Sequence, residues 1–288
     1  MANSESFLTA PLPKPLLRIG VPVAAICLTS FFIVLGFPYH HLANSMAASV
    51  GENIGVEIET SDASLTMGTD GVGFRFDGVT IETTSGAVYH LDTARLGPAW
   101  ALSWFTAVPT LFATLHSPYG DVAGTYRTGD DSHWAGTVTD LALDDLEFVK
   151  RALPIGLTGL LTSTVDIGYE EGVLVGPGSI LLKDGVISHP SAPREVPYSS
   201  ITSAFVFGGD EMLTVDSFTM DSSELKLNGS GTVGNAETLQ QSQLDLSIAL
   251  TDVAPLYRGV AQAMGVKVDP QGAADVKISG TVAVPEFR

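Results

Sequence analysis

Hydrophobic residues change their period along this chain. Residues 19–35 (IGVPVAAICLTSFFIVL) form an apolar run of 17 residues without a charge. With Leu16-Leu17 before it and Gly36-Phe37 after it, the run reaches the ~20 helical residues that cross a ~30 Å hydrocarbon core at ~1.5 Å per residue. Its one charge, Arg18, sits near the end, where a long stem reaches the interface. Pro22 falls early in the run, where a missing N–H costs least. The pattern predicts a membrane helix over residues 16–37, anchored by Ile19, Val23, Ile26, Phe31, Phe32 and Leu35. Leu42, Met46 and Val50 then recur every four residues, which predicts a short juxtamembrane helix over residues 38–50.

From residue 56 the period becomes two. Val56 and Ile58 alternate with Glu57 and Glu59. Residues 72–76 and 79–81 follow, with Asp77-Gly78 between them as a hairpin turn. Residues 88–91 read as another strand. Residues 99–115 (AWALSWFTAVPTLFATL) are the second most apolar stretch, and Pro109 splits them into a short helix and a strand. Residues 122–126 and 133–139 read as a hairpin. Strand patterns recur at 173–182, 201–207, 213–220 and 225–233. A unit of strand, Asp-capped short helix, Gly and strand occurs twice, at 141–168 and 248–280. The expected fold is mainly β: a single transmembrane helix, then an elongated, curved antiparallel sheet over residues 51–288, with short helices and an internal repeat.

Charge sets the orientation. Lys14 and Arg18 precede the apolar run, and no Lys or Arg follows until Arg75. The positive-inside bias keeps the Pro-rich tail, residues 1–15, in the cytoplasm and sends the rest across the membrane. A cleaved signal peptide, cut near Ala47, fits less well, because its apolar region normally runs ~7–15 residues. Residues 37–288 carry 31 acidic and 12 basic side chains, a net charge of −19. That excludes a nucleic-acid partner, which needs a basic footprint. The only cysteine, Cys27, lies inside the apolar run, so the β region folds without a disulfide.

Chemical motifs are sparse. Gly229 to Gly234 matches G-x-G-x-x-G, but it ends an alternating strand instead of opening a helix, so it is no dinucleotide site. Asp130, Asp131 and His133 lie together in a turn without a fourth metal ligand. There is no nucleophile elbow, no metalloprotease motif and no acid/base pair. We expect no enzyme, no cofactor and no metal. Phe74 and Phe76, and Phe205 and Phe207, stand at i, i+2 and so share a side of their strands. With Trp100 and Trp104 they are the candidates for an apolar groove, although a sandwich core explains the phenylalanines equally well.

The apolar helix ending in Phe37-Pro38-Tyr39, Leu42-Ala43, Met46-Ala47, residues 55–58 (GVEI), residues 119–124 (YGDVAG) and the unit around 141–167 together resemble the type II secretion system protein N (GspN) family. The resemblance implies an inner-membrane-anchored periplasmic subunit of that export machine, with other secretion subunits and the inner membrane as partners. The repeated strands are also similar to the AsmA-like architecture, which implies the alternative of a lipid-binding or lipid-transfer module with an apolar β groove. No catalytic residue is implied.

Overall fold

The computed structural model describes residues 55–288 except 85, 100–107, 130–131, 147–149, 151–155, 171–172, 189–193, 210, 235–240, 264–265 and 288; before residue 55 it describes Thr29, His41, Ser45, Ala48 and Gly51, all helical. The chain divides into two units, residues 1–42 and 43–288. Every strand belongs to the second. The predicted anchor side chains Ile19, Val23, Ile26, Phe31, Phe32 and Leu35 lie outside the described residues, as do Trp100 and Trp104. Among the described residues no helix is long and apolar enough to cross a membrane.

The second unit is one antiparallel sheet. Its strands are β1 (Val56–Met67), β2 (Val72–Thr83), β3 (Val88–Pro98), β4 (Thr110–Ser117), β5 (Gly120–Arg127), β6 (His133–Ala142), β7 (Gly156–Leu157), β8 (Leu160–Glu170), β9 (Val173–Ser188), β10 (Val196–Phe207), β11 (Leu213–Asp221), β12 (Lys226–Val233), β13 (Leu244–Thr251), β14 (Ala274–Gly280) and β15 (Pro285–Phe287). Each strand pairs with its neighbour in sequence, except that β6 pairs directly with β8 and the two-residue β7 lies beside β9. The mainly β, antiparallel expectation is thus met.

One predicted turn is a strand interior. Asp77-Gly78 does not close a hairpin; β2 runs straight through it. Gly78 adopts φ +57° there. The apolar positions slip by one at this residue: Phe74 and Phe76 before it and Val79 and Ile81 after it join one cluster with Ala63 and Ala94. A left-handed residue inside the strand redirects the following side chains to the same side. Asp140 in β6, Asp184 in β9 and Asp252 just after β13 adopt the same conformation, with φ of 50°, 50° and 57°. Asp is one of the few L-residues that reach this region at modest cost, because its short side chain bonds locally.

The two similar units share backbone wiring. In the first, a 3-10 turn (Leu143–Asp145) leads through the positive-φ Gly159 to β8; in the second, helix α1 (Pro255–Ala263) leads through the positive-φ Gly272 to β14. The amide of Leu143 donates to Gly159 O at 3.0 Å, and that of Val253 donates to Gly272 O at 3.0 Å. The expected Asp caps differ from what is seen. The 3-10 turn is capped by Ala142 without a side-chain bond. Asp252 takes the left-handed position instead, while Ala254 O receives the amides of Tyr257 and Arg258 and Pro255 supplies a pre-set first turn.

Candidate functional site

Directly opposed residues in an antiparallel pair stand on the same side of a sheet. Following the register from β1 to β14 therefore traces rows. One row reads Leu65, Phe74, Leu96, Ala113, Gly124, Gly136, Val165, Gly178, Phe205, Val215, Gly231, Leu246, Ile278. The next row, two residues along each strand, reads Ala63, Phe76, Ala94, Leu115, Val122, Val138, Ser163, Ile180, Ser203, Phe218, Gly229, Ile248, Val276. A third, from β6 to β14, reads Leu141, Leu161, Leu182, Ile201, Met220, Leu227, Leu250, Ala274. No member of these rows is charged, and only Ser163 and Ser203 are polar. At ~4.8 Å between strands the apolar strip is about 58 Å long, and its rows are ~7 Å apart.

The opposite face carries the charge. The ion pairs Arg75–Asp77 (2.9 Å), His116–Asp121 (2.9 Å), His133–Asp166 (2.7 Å), Lys226–Asp221 (3.7 Å) and Lys277–Asp245 (3.1 Å) all stand there. His133 is thus bound to a carboxylate of β8, and no group of three metal-binding side chains occurs among the described residues. Phe112 is a buried apolar exception on this face, which also carries Leu160, Leu181 and Val206. It is 2% exposed, lies against Gly71, Gly73 and Gly97, and has the Arg95 guanidinium 5.5 Å from its ring centre.

Glycines in the apolar rows are roofed by large neighbours. Trp134 lies over Gly124 and Gly136, Phe205 over Gly178, and Leu246 over Gly231. The side chains lie flat, so the apolar layer is thin there. Phe74, Phe76, Phe205 and Phe207 share this one face, with ring centres 6.4 Å apart in the first pair and 5.4 Å in the second. Phe74 and Phe205 belong to the same row, seven strand pairings apart. Sequence reasoning missed Trp134 and the glycines as members of the face. The alternation of Trp134, Gly136 and Val138 was the signal available for them.

Two short segments cover part of the face. Leu143 and Leu146 are buried on Leu182, Ile201 and Met220. Tyr198 joins that cluster and donates its hydroxyl to Thr158 O. Burial, and secondarily the negative charge of Asp144, push its hydroxyl above the ordinary tyrosine range. Val266 with Ala261 and Val268 packs on Ile248, Leu250, Val276 and Ile278. Tyr257 of α1 is held by its hydroxyl on Glu195 O at 3.1 Å. On β1–β4 the strip is uneven: Ala63, Phe76 and Ala94 are buried together, whereas Leu96 is 36% exposed, Leu65 39%, Leu111 41% and Met67 76%. Contiguous exposed apolar surface on this scale marks a binding face in soluble domains. Comparison with protein-family models, with curated proteins and with solved structures returned no match, so the face has to be interpreted from its own chemistry.

Proposed function

We propose that this chain is a lipid-handling module whose apolar sheet face carries acyl chains. The uninterrupted row from Leu65 to Ile278 is the observation that supports this reading. Hydrocarbon needs no hydrogen bonds, and the rows offer only two hydroxyls. A ~30 Å bilayer core is two chains deep, so a 58 Å strip is about four chain lengths. The charged face stays in water and keeps the sheet soluble. In this reading the N-terminal apolar run anchors the module to the inner membrane, and the sheet curves around its cargo in the periplasm.

The test is transfer of a fluorescent phospholipid between donor and acceptor vesicles by the full-length chain, with Val165→Asp as the blocked variant. Transfer by the natural chain and its loss in the variant are expected. Absence of both transfer and bound lipid in the natural chain overturns the reading.

A second reading, a structural subunit of a type II secretion system, is favoured by the resemblance of residues 119–124 and their companions. It is also favoured by the position of β1, a 12-residue strand at the end of the strand order that pairs with β2 alone. Such an edge accepts a partner strand. Here the test is the amount of secreted enzyme outside cells lacking the chain, measured with outer-membrane leakage to a bulky dye. Lost secretion with an intact barrier supports the second reading. A leaky barrier with normal secretion supports the first.

A further inference from the structure

The apolar strip is not uniform. Between β10 and β13 it dips into a cavity of about 210 Å³ lined by Ser203, Val215, Phe218, Gly229, Leu246 and Ile248, with Ser230 of β12 also at its border. Its origin lies in the sequence. Row two places two small members, Ser203 and Gly229, on either side of Phe218. The register of β11 also shifts between Val215 and Phe218, which takes Asp216 and Ser217 out of the apolar rows.

We infer that this cavity is a seat for the methyl end of an acyl chain. The inference deepens the lipid-handling reading and rests on it. Three observations select a hydrocarbon end over other occupants. The cavity offers one side-chain hydroxyl, that of Ser203, because Ser230 stands on the opposite face. A peptide backbone inserted here would leave its amides and carbonyls unpaired at a cost of several kcal/mol each. A charged headgroup finds no cation on either apolar row. The size also fits: a dry apolar cavity of ~150 Å³ accepts a molecule as large as benzene, so this one takes a chain end but not a whole lipid. The chain itself already seats apolar side chains beside it, through Leu143 and Leu146 on one flank and Ala261 and Val266 on the other. The seat therefore fixes one end of the cargo while the rest of the chain lies along the open rows.

The experiment uses the full-length chain in amphipol and two photoreactive probes. One is palmitic acid with a diazirine on its terminal carbon; the other is a phosphatidylethanolamine with the same group at the end of one chain. After irradiation, labelled peptides are mapped by mass spectrometry. Label concentrated in residues 203–218 and 229–248 is expected. The probe that labels there tells a free fatty acid from a phospholipid as the source of the chain. Label spread evenly over β1–β14 overturns the seat while leaving the lipid-handling reading standing. No label on the sheet from either probe overturns both. Two substitutions give an independent readout by titration with cis-parinaric acid. Ser203→Phe fills the cavity and is expected to weaken binding at least tenfold. Ser203→Ala keeps the cavity and is expected to stay within twofold of the natural chain. Equal affinity of Ser203→Phe and the natural chain overturns the seat.

Discussion

Leu182 and Leu111 stand on the same face of the same sheet but do different work. Leu182 in β9 is 7% exposed beneath Leu143 and Leu146, whereas Leu111 in β4 is 41% exposed. Replacing either by Ala removes the equivalent of three methylenes, about 2.4 kcal/mol of transfer free energy when the side chain is fully buried. At Leu182 nearly all of that is lost. The enclosed void adds a cavity cost, which brings the expected loss to about 3–5 kcal/mol. At Leu111 somewhat over half of the side chain is buried, so the loss is about 1.4 kcal/mol, and water fills the space left behind. Urea unfolding of the two variants, followed by far-ultraviolet circular dichroism with a common slope, measures both. Equal losses at the two positions would refute the reasoning, because Leu111 would then be covered as well as Leu182 and the strip would be closed there. The same two variants separate stability from cargo: Leu111→Ala is expected to weaken lipid binding more than its small stability loss accounts for.

Tyr198→Phe removes a hydroxyl that serves Thr158 O in a buried site, with an expected cost of about 1–2 kcal/mol at neutral pH. Because burial and Asp144 raise the Tyr198 hydroxyl above its ordinary value of about 10, the folded state holds this proton more tightly than the unfolded state. The associated stability is fully present below pH ~10 and declines as pH rises from there through the raised value. Unfolding midpoints taken across that alkaline range should lose this decline in the Phe variant. Gly178→Ala places a Cβ 2.5 Å from the Phe205 ring, so the ring must leave its seat at an expected cost of about 1–3 kcal/mol by thermal or urea unfolding. Gly259→Ala in α1 meets open space and is expected to be neutral or to stabilise by up to ~1 kcal/mol in the same assay. Lys277→Ala, which breaks an exposed ion pair with Asp245, should move stability by less than ~1 kcal/mol and leave lipid transfer unchanged.

Alternation made the strands readable. Residues 122–126, 133–139, 173–182, 201–207 and 213–220 fall inside β5, β6, β9, β10 and β11, and residues 225–233 overrun β12 by one residue, Leu225. The error at Asp77-Gly78 has a specific cause. Asp-Gly is a favoured tight-turn dipeptide because both residues tolerate positive φ, and β2 uses that tolerance at Gly78 inside a strand. Asp184, which precedes Gly185, does the same inside β9, while Asp140 and Asp252 exploit the property without a following glycine, and nothing in the neighbours of those two marks them as left-handed. Phe74, Phe76, Phe205 and Phe207 were readable as pairs sharing a side. That the two pairs share one face, seven pairings apart, follows only from the register of every strand between them. Register also decides the fate of the glycines. Gly124, Gly136 and Gly178 read as weak points in their own strands, and only the neighbouring Trp134 and Phe205 show what fills the gap.

A sheet with one apolar face normally closes it, by a second sheet or a layer of helices, because leaving it in water forfeits the main driving force for folding. Among the described residues, two segments close part of it. The Leu143–Leu146 segment and the α1 segment sit over β9–β14, where three rows run side by side and the buried side chains are concentrated. The strands from β1 to β5 keep the same uncharged pattern and bury Ala63, Phe76 and Ala94, but leave Leu65, Leu96 and Leu111 more than a third exposed. Stability alone does not account for that asymmetry. A charged residue at an open position would cost the fold little and would improve solubility, yet the rows contain none, while every ion pair of the sheet stands on the other face. The open rows therefore retain an apolar character that the fold itself does not need. A ligand that brings its own apolar surface supplies the missing layer, and an acyl chain does so without asking for a hydrogen bond.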